Sequence, residues 1–355
     1  MKVYMNNHSN GNIPKNRKTY IDYLRVTATV FVIGVHTVSL ASSMLERGTV
    51  SFKVLEIFDF LFLSCNLLFL MISGALLLPV RGEGVGTFFG KRFSKVAIPL
   101  VVYYIFYICA KEGIQWIFPN HWFAMLKRIL TGAPEEAPHF WLVYVILWLY
   151  VLTPFLRWLL SNIPDTVFYG MMAVIFVVCA LDTYLPLAGI ESPFGWFVDS
   201  FVGAFLLGYL LDGKCSRKAE NLFLAGGAVS FLLSCYWIAG IGENYEDYLY
   251  NNSPSMLLLS AAIFLLVKRL TKEWNPSAVV AFLGKYSYSI LLIHWGVLHF
   301  VVKQLLHVDV LSGGIWGGCL LMMALTLVIS AAGAFLVDKV LLQWLELPFC
   351  KKMAM

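Results

Sequence analysis

Apolar residues in this chain gather into long blocks separated by short polar connections. Helices are predicted over Ile21–Ser43, Val54–Leu78, Val96–Phe118, Phe140–Leu160, Val167–Leu187, Trp196–Leu211, Leu222–Ile241, Ser255–Val267, Val279–Val302 and Ser312–Leu342. Most of these blocks reach about 20 residues, enough for a helix to cross a hydrocarbon core roughly 30 Å thick. The sixth and eighth are shorter. No stretch alternates with the period of two that an outer-membrane barrel requires. The expected fold class is an all-α polytopic membrane protein, a bundle of about ten transmembrane helices.

The polar connections give the bundle a direction. With the N-terminus in the cytoplasm, eighteen lysines and arginines fall on the inner side, and only Arg47, Lys53, Lys111, Lys127, Arg128 and Lys303 on the outer. Positive charge marks the cytoplasmic side, so both termini are expected there. The first apolar run is full length and lacks a small-residue cleavage site, so it is read as a first transmembrane helix rather than a cleaved signal peptide. The chain divides into an N-terminal tail (1–20), one membrane domain (21–349) and a C-terminal tail (350–355). The longest outer connection, Pro119 to His139, contains "HWFAMLKRIL", whose apolar and basic positions predict an interfacial helix.

Composition agrees with this pattern. Hydrophobic residues make up 59% of the 355 residues and charged ones 13%, outside the range of soluble domains. The net charge of +5 follows from the loop asymmetry and does not argue for nucleic-acid binding. The seven cysteines lie mostly in apolar segments and form no C-x-x-C pair, which fits small core residues. The chain contains no phosphate loop, dinucleotide turn, H-E-x-x-H zinc motif or serine-hydrolase elbow.

Ionisable residues inside the blocks are the candidates for chemistry, because a buried charge in a membrane costs several kcal/mol unless it faces a partner or a cavity. The first block, "YIDYLRVTATVFVIGVH", carries Asp22, Arg25 and His36. Asp22 and Arg25 are three apart and can pair on one helix face. Arg25 and His36 are eleven apart, which is within roughly 20° of three full turns and a rise of about 16 Å. Lys91, Arg92 and Lys95 in "GKRFSKVAIP" serve either topology or an anion site. Ser73-Gly74 in "LLFLMISGALLLP" allows a close helix approach and leaves a role for the serine. His139, Trp141 and Tyr144 in "HFWLVYV" fit an aromatic interface belt or a sugar platform equally. His294 and His299 lie in the ninth block, and Gly313/Gly317 and Gly314/Gly318 predict a close helix contact in the tenth.

Taken in order, these segments resemble the acyltransferase-3 family of integral membrane acyltransferases. The resemblance rests on "DYLR" with the R-x10-H spacing of Arg25 and His36, "FLMISGALLL", "RFSK" followed by "IP", "HFWLVYVILWLYVLTPFLR", "FLLGYLL" and "LGKYSYSILLIH". It is nearest to the surface-polysaccharide O-acetyltransferases built from the membrane domain alone. One departure is Lys95, which stands where the family's R-x-x-R pattern has its second arginine. Lysine keeps the charge but loses the bidentate geometry.

The resemblance implies transfer of an acyl group, usually acetyl from acetyl-CoA, to a hydroxyl of a cell-envelope glycan or its lipid-linked precursor. It implies a bacterial inner-membrane location, with acetyl-CoA as acyl donor, the glycan or lipid-linked sugar and membrane lipids as partners, and no metal or nucleic acid. Arg92, Lys95 and Lys91, with Ser73, are then expected at the donor, and Arg25, offset by Asp22, along its arm. His36 is expected as general base or acyl carrier, and His139, Trp141, Tyr144, His294 and Glu136 around the acceptor. The rival is a transporter or flippase for a glycan or lipid-linked intermediate.

Overall fold

A computed structural model describes residues 18–345, apart from 81, 133–134, 193–199, 241–244 and 251–252. Twelve helices run in the order α1 (Thr19–Ser42), α2 (Val50–Leu77), α3 (Val85–Glu112), α4 (Trp122–Thr131), α5 (Trp141–Asn162), α6 (Asp165–Tyr184), α7 (Ser200–Tyr209), α8 (Arg217–Gly240), α9 (Tyr245–Leu249), α10 (Pro254–Thr271), α11 (Ala278–Gly296) and α12 (Ile315–Val337). Among the described residues nine helices are long and apolar enough to cross a membrane, all except α4, α7 and α9. The sixth predicted span corresponds to α7 with its π-helical continuation Leu210–Lys214, and its start from Trp196 lies outside the described residues. The protein is an all-α polytopic membrane protein. Of the tails, only Lys18 to Tyr20 are described, and Thr19 already belongs to α1. Lys2, Lys15, Arg17, Arg81, Lys351 and Lys352, which entered the charge partition, lie outside the described residues.

The third helix differs most from its predicted bounds. It starts at Val85, so Lys91, Arg92 and Lys95 lie inside it, and it stops at Glu112 because Gly113 turns away with a φ of 101°. The expected amphipathic segment is present as α4. It exposes Phe123, Leu126 and Leu130 and buries Met125. Ion pairs anchor the segments that flank it: Arg128 with Glu112 at 2.6 Å and Lys111 with Glu136 at 3.1 Å.

Helix α2 is the centre of the bundle: 72% of its span is buried, against 6% of α6. It crosses α7 at backbone contact. A Cβ on Gly74 would fall 1.8 Å from the Phe205 carbonyl oxygen, and one on Gly208 would fall 2.0 Å from that of Met71. The close approach expected at Ser73-Gly74 is therefore real, and α7 supplies its other half. The glycine pairs of the tenth block do something different. Gly313 and Gly314 precede α12 with φ of 80° and 84°, and Gly318 abuts the Val310 carbonyl rather than another helix. The expected helix contact is absent at these glycines because Gly313 and Gly314 lie in a turn, where helical spacing does not apply.

One end of the bundle, where α1 begins and α2 ends, is basic. There Arg157 donates from Nε to the Leu77 carbonyl at 2.6 Å, satisfying the exposed end of α2. Lys268 bonds the Leu211 carbonyl at 2.6 Å, and Arg269 pairs with Glu220 at 2.9 Å. Cys65, Cys179 and Cys319 are buried, and no disulfide joins the described cysteines.

The α2–α7 crossing gives a direct test. Gly74→Val should cost at least about 1–3 kcal/mol by overpacking and shift the protein from a monodisperse to an aggregated peak in detergent gel filtration. Gly86→Ala, where a Cβ meets nothing within 4 Å, should leave that profile unchanged.

Candidate active site

Arg25, Arg92 and Lys95 line one cavity of about 520 Å³ at the basic end. Lys285 from α11 and Lys339, just beyond α12, complete a ring of five cations around it. Sequence reasoning placed Lys285 only in the loop partition and missed Lys339. Lys339 lies just past the end of α12 and Lys285 about two turns into α11, and a basic residue near a membrane face has an ordinary topological explanation. Arg92, Lys95, Lys285 and Lys339 have no carboxylate within ion-pair distance among the described residues. Asp338 also lines the cavity, held by the Ser289 hydroxyl at 2.7 Å. Uncompensated cations converging on one cavity make a site for a multiply charged anion.

Asp22 and Arg25 pair as their spacing implied, at 3.7 Å, with Asp22 buried. Ser73 lines the cavity, but its hydroxyl donates to the Phe69 carbonyl at 2.9 Å on its own helix. Lys91 is a correction. It is exposed and does not line the cavity: it shares a helix face with Lys95 but stands one turn nearer the start of α3, beyond the cavity's rim.

Deeper in the bundle, His36 from α1 meets two further histidines. The His36 and His294 rings stack at 5.2 Å, His139 lies 4.8 Å from His294, and His36 lies 6.3 Å from His139. Trp295 closes the group, edge-on to His36 at 4.8 Å. His139 and His294 are buried, whereas His36 is only half-buried and is the accessible member. Helix α1 is unbroken from Thr19 to Ser42, so Arg25 and His36 do share a face about 16 Å apart. His299 adds a ring 4.2 Å from Trp295, and the "HWGVLH" run was its only signal in the sequence.

What orients the two buried histidines is a break in α11. The helix passes into a π-helical segment at Val297–Leu305, which loosens its hydrogen-bond ladder. The Tyr107 hydroxyl from α3 bridges the opening, accepting from the Gly296 N–H at 2.8 Å and donating to the Leu292 carbonyl at 3.1 Å. Leu292 also accepts from His139 Nε2 at 3.2 Å, and Leu291 accepts from His294 Nδ1 at 2.7 Å. A carbonyl can only accept, so both tautomers are fixed for the neutral rings. His139 Nδ1 and His294 Nε2 are left as buried acceptors with no partner among the described residues. Gly296 fits closely here: a Cβ would stand 3.1 Å from the Tyr107 oxygen, so the tyrosine would have to shift by a few tenths of an ångström.

Three residues expected at the acceptor make contacts away from the histidine rings. Trp141 packs on Phe201 of α7 at 5.5 Å. Tyr144 donates to the carbonyls of Ile129 and Gly132 at 2.7 and 3.0 Å, tying down the end of α4. Glu136 is held by Lys111. Proximity in sequence to His139 said nothing about which way each side chain turns on its helix. The sequence also held an unused signal: Glu56 and Asp59 sit three apart inside the apolar run of α2, and both are buried.

The Tyr107 bridge is testable by stability. Tyr107→Phe leaves the Gly296 amide and a carbonyl short of a partner in an apolar interior. Thermal denaturation in lipid nanodiscs should show a loss of about 1–3 kcal/mol, and an unchanged melting curve would refute the bridge.

Comparison with known proteins gives a single finding. The family model described as an acyltransferase domain, Acyl_transf_3, matches residues 18–336, nearly the whole chain. No curated protein and no solved structure matches. A match of that extent, with the R-x10-H pair on one face of α1 and the cation cavity below it, settles the assignment: the chain belongs to the acyltransferase-3 family of membrane acyltransferases.

Proposed function

We propose that this membrane acyltransferase is an O-acetyltransferase, which takes acetyl from acetyl-CoA and passes it to a hydroxyl of a cell-envelope glycan or lipid-linked saccharide. The observation that carries the reading is the cavity lined by Arg25, Arg92, Lys95, Lys285 and Lys339, set about 16 Å along α1 from His36. By the positive-inside rule the basic end faces the cytoplasm, here of a bacterial inner membrane, where acetyl-CoA is supplied.

The donor's phosphates pair with Arg92, Lys95, Lys285 and Lys339, and its pantetheine arm runs along α1 past Arg25. Arg92 offers two parallel N–H donors to a phosphate, and the lysines act as point charges. The arm is uncharged, so it enters the apolar interior while the phosphates stay with the cations. Leu291 links the two regions: it lines the cavity, and its carbonyl holds His294.

At the far end of the arm, His36 takes the proton from the acceptor hydroxyl as that oxygen attacks the thioester carbonyl. The C–S bond breaks and an ester C–O bond forms. The proton then passes from the imidazolium to the departing thiolate. Neutral His139 and His294 provide buried acceptor nitrogens beside His36 and fix a dry, structured surround for the reacting groups. An acyl-histidine intermediate on His36 is the two-step form of the same chemistry.

Purified protein in nanodiscs, supplied with labelled acetyl-CoA and envelope fraction, tests the assignment. His36→Ala should lower transfer at least a hundredfold while acetyl-CoA still binds, and full activity would refute the base. Arg92→Ala should weaken acetyl-CoA binding by roughly tenfold or more, equivalent to about 1.4 kcal/mol. The affinity of the unaltered protein should also fall with added salt. Undiminished binding in Arg92→Ala would remove the phosphate site.

A further inference from the structure

A second polar cavity, of about 450 Å³, opens at the end of the bundle opposite the cations. Its walls combine hydroxyls (Ser39, Ser42), carboxylates (Glu56, Asp59, Glu246), the Arg47 guanidinium and the Tyr250 ring. Glu56 and Asp59 are buried, at 8% and 7% exposure, and project from the first turns of α2. Asp59 accepts from Ser39 Oγ at 3.1 Å and Tyr250 OH at 3.2 Å, and Glu56 accepts from the Tyr245 hydroxyl. No lysine or arginine lies within ion-pair distance of either among the described residues.

Two like charges three residues apart on one buried helix face oppose folding, and the usual remedy, a cationic partner, is missing. Hydroxyl groups stand in its place. A carboxylate offers about four acceptor positions, and Ser39 and Tyr250 fill only two at Asp59. The remaining capacity faces a cavity that also offers donors, from Arg47 and Ser42, and an aromatic ring. That combination suits a ligand carrying several hydroxyls on a partly apolar frame. A metal ion fits less well, since among the described residues no group of three histidine, cysteine, aspartate or glutamate side chains is placed to hold one.

The position relative to His36 is as informative as the chemistry. Ser39 stands less than one turn beyond His36 on α1. Ser43, also in the lining, lies seven residues beyond it, within about 20° of the same face and roughly 10 Å further along. A ligand seated beside Ser39 and Asp59 therefore lies about one turn of α1 beyond the accessible ring of the histidine group.

We propose that this cavity is the acceptor site: Glu56, Asp59 and Tyr250 bind the hydroxyls of a saccharide and present one of them to His36. The assignment rests on the acetyl-transfer reading above. It moves the acceptor from Trp141, Tyr144 and Glu136, which serve packing and loop anchoring, to the start of α2.

The test uses full-length protein in nanodiscs, labelled acetyl-CoA, and base-treated envelope fraction from cells lacking the chain as acceptor. Asp59→Asn should raise the KM for the acceptor at least tenfold, and Tyr250→Phe about threefold, with acetyl-CoA affinity within twofold of the unaltered protein. Unchanged acceptor KM in both variants overturns the site. If Asp59→Asn also loses acetyl-CoA binding, the change has damaged the fold, and Tyr250→Phe with Arg47→Gln at the exposed rim then decides. Failure of the underlying reading looks different: the unaltered protein itself binds no acetyl-CoA, and the acceptor assignment falls with it.

Discussion

A backbone carbonyl set loose inside an apolar helix has no water to turn to, and the centre of this protein is built on that constraint. Where α11 widens into its π-helical segment, the Gly296 N–H turns to the Tyr107 hydroxyl, and the carbonyls of Leu291 and Leu292 accept from side-chain donors. The Tyr107 hydroxyl, His139 Nε2 and His294 Nδ1 are those donors. The repair has a chemical consequence. Each imidazole that spends its N–H on a carbonyl is fixed as a neutral ring with its other nitrogen an acceptor, and both acceptors lie in the group that surrounds His36. Defect and site are therefore the same feature, assembled from α1, α3, α11 and the turn that leads into α5.

The pairing of α1 with α2 organises the rest. The helices run antiparallel and in close contact, with Gly34 against the Phe62 ring, where a Cβ would fall 2.6 Å from it. Arg25 at the start of α1 thus lies beside Ser73 at the end of α2, and Ser39 at the other end lies beside Asp59. Two helices thereby supply part of the cation cavity, the accessible histidine and part of the hydroxyl-rich cavity, in that order along one axis. The Gly74 and Gly208 contacts lock α7 onto α2 and hold this strip against the lipid-facing helices.

What could be read from the sequence was whatever depends on local periodicity. Apolar block lengths located the spans, and helical pitch placed Asp22 beside Arg25 and His36 on Arg25's face. Charge type flagged Arg92 and Lys95. Contacts set by tertiary rotation could not be read that way. Trp141 and Tyr144 neighbour His139 in sequence yet turn towards α7 and α4, while Tyr107, with no motif of its own, supports the histidines from another helix. Lys91 shows the same limit inside one basic run, because three cations share a helix and only two reach the cavity. Glu56 and Asp59 differ from these. Their presence within an apolar run was visible, and the rule that singled out Asp22 and Arg25 applies to them with equal force.

The distribution of charge along the axis also fits the division of labour in the proposed transfer. Cations at one end suit the phosphates of the donor, and carboxylates at the other suit hydroxyls and repel a second polyanion. Between them lies a stretch of α1 from Val26 to Val35 with no ionisable side chain. Carrying a phosphate through that stretch would require desolvating a charge far from any partner, at several kcal/mol. A thioester-tipped neutral arm incurs no such penalty. In the proposed transfer the same gap would keep the donor's charged end at the basic cavity while its acyl end reaches His36, and the acceptor would have no need to leave the opposite side.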